Sequence, residues 1–128
     1  MSNHTDRELI ELAARAFGFG DMDGNFIWTE SEYPRGSKLG GALWNYMGWC
    51  ETAELWNPLT DDGDAFRLAL KLRIKFERHP TQPYVAAFSP GVIGRFEEPE
   101  GSCVQSATRR AIVRAAAAVV ENQHREQE

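Results

Sequence analysis

Cysteine and histidine are scarce in this chain. Its 128 residues hold two cysteines and three histidines. Cys50 and Cys103 lie far apart and make no Cys-x-x-Cys, so both are read as reduced thiols. His4 and His124 lie near the ends, and His79 stands beside Pro80. A Cys–His nucleophile pair would need the fold to bring His79 to Cys50 or Cys103, and no local sequence prepares that. There is no Gly-x-Gly-x-x-Gly, no Walker-type loop and no His-Glu-x-x-His. Enzyme activity is therefore not expected, and neither is a cofactor. No apolar run is long enough to cross a bilayer. Met1 to Arg7 lacks a basic start followed by an apolar stretch, so a signal peptide is not expected and a cytoplasmic location is. Basic residues are in the minority, 14 Lys+Arg against 19 Asp+Glu, for a net charge of −5. A negative whole disfavours nucleic-acid binding, which rests on phosphate neutralisation.

Aromatic residues are plentiful: four Trp, three Tyr and seven Phe. With 42% hydrophobic residues, a chain of this length fits one domain, 1–128, with a core able to fold unaided. The charge is unevenly placed. Residues 1–64 carry a balance of −8 and residues 65–128 a balance of +3. One small body can thus present an acidic face and a basic face to a charged partner.

Thr5-Asp6-Arg7-Glu8 is a capping box, a hydroxyl with a carboxylate three residues on. Leu9, Leu12, Ala13, Ala16 and Phe17 follow on one helical face, and Gly18 and Gly20 end it, giving a helix over about 5–17. Phe26-Ile27-Trp28-Thr29 suits a strand. The stretch from Gly41 to Glu54 fits either a short helix or a strand with a loop. Residues 33–55 form an aromatic-rich insert, which either covers one side of the sheet or docks a partner through Trp44, Tyr46 and Trp49.

Trp56-Asn57-Pro58-Leu59-Thr60-Asp61-Asp62-Gly63-Asp64-Ala65 is the most informative run. Pro58 fixes its own φ and holds Asn57 extended. Thr60, Asp61 or Asp62 can cap the helix that follows, and Asp61, Asp62 and Asp64 sit at the positive end of its dipole. Phe66, Ala69, Leu70 and Arg73 recur at helical spacing, with Leu68 and Leu72 beside them, for a helix over about 61–73. Three strands are expected next, at Ile74–Glu77, Tyr84–Phe88 and Val92–Glu97, joined by turns short enough for an antiparallel meander. Ser102 and Gln105 can cap a last, Ala-rich helix over about 103–122, leaving 122–128 as a frayed tail.

The Trp56–Ala65 run resembles the phage ABA sandwich domain family, small proteins of bacteriophages and prophages. Ala107-Thr108-Arg109-Arg110-Ala111-Ile112-Val113-Arg114-Ala115-Ala116 is similar to a run of that family, and Glu8–Ala16 extends the likeness to the first helix. The resemblance implies a three-layer α/β/α arrangement of α+β class, with a small, mostly antiparallel sheet of about three to four strands between helices. It also implies a phage or prophage origin. It implies no established activity, so no catalytic residue is carried over. The insert at Tyr33 to Cys50 departs from the family pattern.

Two acidic runs invite a cation. Asp21, Asp23, Asn25, Thr29 and Glu32 fall at calcium-loop positions, but Phe26 stands where such a loop needs glycine, and a turn at Asp23-Gly24-Asn25 is preferred. Asp61, Asp62 and Asp64 are read as serving their helix, and no metal is expected there. Arg67, Lys71, Arg110 and Arg114 make a candidate basic patch, set against the simpler reading of solvated helix faces. The expected function is a non-enzymatic interaction protein of a phage or prophage, a host-modifying or anti-defence inhibitor. It would bind a host bacterial protein through Trp44, Tyr46, Trp49, Asp61, Asp62 and Asp64. The alternatives are a small-ligand or nucleotide-binding protein and, more weakly, a nucleic-acid-binding module.

Overall fold

A computed structural model of the chain describes residues 4–17, 27–29, 42–45, 54–101 and 103–126. The elements run α1 (Asp6–Phe17), β1 (Ile27–Thr29), β2 (Ala42–Asn45), β3 (Glu54–Trp56), α2 (Asp62–Leu72), β4 (Lys75–Arg78), β5 (Tyr84–Phe88), β6 (Phe96–Pro99) and α3 (Val104–Glu126). The class is α+β, with helix packed against antiparallel sheet.

The capping box at α1 forms as its sequence requires. Thr5 Oγ1 accepts the Glu8 amide at 3.2 Å and Glu8 Oε1 accepts the Thr5 amide at 3.1 Å. The Thr5 amide and hydroxyl hold the Glu8 carboxyl below the usual glutamate range. Thr5→Ala is expected to cost about 1 kcal/mol of unfolding free energy, read by denaturant titration. The buried face is turned slightly from the expected stripe: Leu9, Ile10, Ala13 and Ala14 are buried, with Leu12, Ala16 and Phe17 partly so.

The described residues form two three-stranded antiparallel sheets, in orders β1-β2-β3 and β4-β5-β6. Within the undecided stretch 41–54 the first has strand over Ala42–Asn45, where Leu43 pairs with Trp56, and positions 41 and 46–53 lie outside the described residues. The second is the expected meander. Its third strand starts four residues later than the sequence reading places it, at Phe96 in place of Val92. Gly91 and Gly94 both have positive φ, 78° and 105°, which breaks the extended chain despite the β-branched Val92 and Ile93 between them. Phe96 is thereby set opposite Ala87, and Phe76 opposite Ala87 on the other side, so all three share one face of the sheet.

α3 is the hub. It lies on the meander along β5 and β6, and α1 and α2 seat on it in turn. Ala107, Ala111, Ala115, Ala116 and Ala117 are buried along it, with Ile112 and Val113. Small side chains let neighbouring backbones approach on several sides: Ser89 Oγ donates to the Ala115 carbonyl at 2.7 Å. The helix continues to Glu126, past the expected end at 122. The Ser102 cap falls outside the described residues; Cys103 Sγ accepts the Ser106 amide at 3.4 Å. Among the described residues no helix is long and apolar enough to cross a membrane.

Candidate functional site

The Trp56–Ala65 run is built as a braced corner. Trp56 and Pro58 are buried, and Trp56 stacks on Phe17 with ring centroids 5.8 Å apart. Asn57 Oδ1 accepts the Leu59 amide at 3.0 Å, and the Asn57 carbonyl accepts the Thr60 and Asp61 amides. Asp61 is the helix cap and accepts the Asp64 amide at 2.8 Å. Asp64 lies beneath the corner. Its carboxylate accepts the buried Asn57 amide at 3.0 Å and Arg67 Nη2 at 2.8 Å. Burial raises its pKa above the ordinary aspartate range, against the pull of the Asn57 amide and Arg67. Gly63 leaves room here, since a Cβ would come within 3.2 Å of both Asp61 Oδ2 and Arg67 Nη2.

The Trp56–Ala65 run and the Ala107–Ala116 run meet through Arg109. Its Nε donates to the Leu59 carbonyl at 2.8 Å and its Nη1 to Asp62 Oδ1. Arg110 pairs with Asp6 at 3.0 Å and reaches Glu98, while Arg114 donates to Glu98 and to the Glu97 carbonyl. The arginines of α3 thus stitch α1, the α2 corner and β6 onto one helix.

The expected basic patch is therefore shared among structural contacts. Arg110 and Arg114 serve Glu98, Arg67 serves Asp64, and Lys71 Nζ lies 5.5 Å from the Phe17 ring centroid. Among the expected docking residues, Asp64 is buried, Asp61 is half-buried and Asp62 is exposed. Trp44 lies in β2, with its backbone alone described, and Tyr46 and Trp49 lie outside the described residues, as do Cys50 and most of the calcium-like run. Among the described residues no three His, Cys, Asp or Glu side chains are grouped as a metal site.

The α2 stripe is corrected by the structure. Helical spacing puts Phe66, Ala69, Leu70 and Arg73 on one stripe widened by Leu68 and Leu72, and of these Ala69, Leu68 and Leu72 do face the core. The buried residues are Asp64, Ala65, Leu68 and Ala69, with Leu72 partly covered. Phe66 and Leu70 are 57% and 63% exposed. Arg73 is the left-handed cap that ends the helix, with φ 57°. Leu68 and Leu72 look the same in sequence as Phe66 and Leu70, so a 3.6-residue period alone does not choose between the two faces.

Phe66 also lines an open groove of about 750 Å³ between α2, β4 and α3. Phe76, 42% exposed, and Ile112 give it apolar walls, and Arg78 and Arg109 stand over it. Arg78 forms a two-point ion pair with Glu100 through Nε and Nη2. At the end of β4, His79 Nδ1 accepts the Thr81 and Gln82 amides at 3.1 and 2.8 Å, which places the neutral ring's proton on Nε2. That histidine is bound into its turn and beside Tyr84, with ring centroids 4.7 Å apart.

No protein-family model, curated protein or solved structure matches this chain.

Proposed function

We propose that this is a non-enzymatic interaction protein that docks a larger protein through the outer face of α2. The observation that carries the reading is the pair Phe66 and Leu70, one helical turn apart and both more than half exposed, on a helix whose opposite face is already filled by Ala65, Leu68 and Ala69. An apolar pair at i and i+4, rimmed by Asp62, Arg67 and Lys71, has the make-up of an interface centre with a charged border. The likeness to phage ABA sandwich proteins supports a bacterial host protein as the partner and host modification or anti-defence as the role.

The test is affinity capture from host lysate, identification of the captured protein and titration of the purified pair. Leu70→Asp, on the solvent side, is expected to leave the circular dichroism spectrum and melting unchanged and to weaken the complex by about thirtyfold or more, the loss typical of an interface anchor. A complex insensitive to this change, or capture of nothing specific, would remove the reading.

The groove beside α2 favours one second reading. Its volume falls within the range of small-molecule sites, and two arginines beside Phe66 and Phe76 suit an anion joined to a ring. A nucleotide that raises the melting temperature, with the rise lost in Arg109→Gln, would support a ligand-binding protein in place of an adaptor.

A further inference from the structure

The two margins of the β4-β5-β6 meander are unlike. The phase of its ladder follows from two hydrogen bonds. The His79 amide donates to the Tyr84 carbonyl and the Glu100 amide to the Pro83 carbonyl, both at 2.9 Å. Backbone groups alternate sides along an antiparallel strand. On β6, Glu97 and Pro99 therefore point outward and Phe96 and Glu98 toward β5. The outward Glu97 carbonyl is taken by Arg114 Nη1 at 2.9 Å, and Pro99 has no amide hydrogen. That margin is blocked. On β4, Lys75 and Glu77 point to β5, so Phe76 and Arg78 turn their amide hydrogens and carbonyls outward. All four residues of β4 are exposed. No proline or arginine bond protects this margin among the described residues, and the apolar groove runs beside it.

The side chains of β4 say which strand fits. A two-fold antiparallel neighbour must set outward residues opposite outward residues, which leaves three registers. With Arg78 opposite its own copy, like charges meet on the axis. With Phe76 opposite Arg78 of the second copy, Glu77 meets Glu77. With Phe76 opposite Phe76, Lys75 meets Glu77 of the second copy twice. Opposite charges facing across strands stabilise the pair and like charges weaken it. The third register also brings two half-exposed Phe76 rings together on the groove side, beside Phe66.

We propose that the β4 margin is a self-association surface on which a second copy of this chain pairs its own β4, Phe76 against Phe76, to make a two-fold dimer with a continuous six-stranded sheet. Lys75 and Glu77 set the register, and the joined grooves bury Phe76. A foreign extended strand would find the same backbone groups but not the doubled Lys75–Glu77 match.

The experiment is sedimentation equilibrium of the full chain at high micromolar concentration, with a charge exchange. The wild type is expected to be a dimer. K75E and E77K should each weaken it by about tenfold, since each turns two cross-strand attractions into repulsions. The double variant K75E/E77K should restore the wild-type constant. Leu70→Asp should leave it unchanged, so this proposal and the docking of a host protein fail separately. Phe76→Asp, which sets two carboxylates against each other on the axis, should weaken the dimer by about tenfold or more. A wild-type monomer at this concentration overturns the proposal. So does a dimer indifferent to the single changes, a double variant that stays weak, or a Phe76→Asp variant that dimerises as the wild type does.

Discussion

Replacing Asp64 with alanine is expected to lower the unfolding free energy by about 3 kcal/mol, the largest loss among the three aspartates of the α2 corner. The truncation leaves the buried Asn57 amide without its acceptor and removes the anchor of Arg67. Asp61→Ala should cost about 1 kcal/mol, the usual value of a helix cap. Asp62→Ala should cost less than about 1 kcal/mol, because it breaks an ion pair whose carboxylate faces water. Denaturant unfolding of the three variants measures the order directly. If Asp62→Ala proved the most damaging, the corner would have to be held by Arg109, not by its own buried carboxylate.

Asp64 also leaves a mark on pH dependence. Burial raises its folded-state pKa, so the folded chain holds its proton more tightly than the unfolded one. The stability from that proton is fully present below the unfolded pKa and is lost as pH rises through the folded value. Asp64→Asn keeps an acceptor for Asn57 and does not titrate. The stability of the wild type relative to Asp64→Asn should therefore fall as pH climbs from the ordinary aspartate range through the raised value. A difference that grows with pH over that window would mean that Arg67 and the Asn57 amide outweigh desolvation.

Ala111→Leu is expected to cost about 3 kcal/mol or to prevent folding, since a well-packed site has no room for three added carbons. Ala111 is fully buried on the helix that carries the meander, α1 and α2 together. The added volume must push at least one of them off. Ala118→Leu, on the same helix and only half-buried, should change stability by less than about 1 kcal/mol. Thermal and denaturant melts of the pair test whether α3 is packed tightly on all sides. Equal effects at both sites would show that the helix is held more loosely than its burial implies.

Much of the fold can be read from local chemistry. The Thr5–Glu8 box, the proline-braced corner with Asp61 at its cap, and the apolar–polar alternation of β4 each depend on residues close in sequence. The features that escape such a reading depend on what lies across the fold. Arg109 reaches a carbonyl fifty residues away, and nothing near Arg109 marks it as different from Arg110. Asp64 looks like another dipole-facing carboxylate until the corner folds over it. Phe66 and Leu70 read as inward because apolar residues surround most of α2, and only the position of α3 decides which of them are covered. Val92 and Ile93 carry a strand's composition, yet the two glycines around them take a backbone that no strand uses. For the candidate site, sequence offers the aspartates and arginines; the structure puts most of them to architectural use and leaves the aromatic and aliphatic residues of α2 in the open.

The guanidinium of Arg114 and the ring nitrogen of Pro99 have one more effect. Strand addition can propagate only when each new unit offers a fresh growing end. Here union at β4 uses up the one open margin of the β4-β5-β6 meander, so growth through that sheet stops at two subunits. Exchanging Arg114 for a shorter side chain and Pro99 for an ordinary residue would remove that stop.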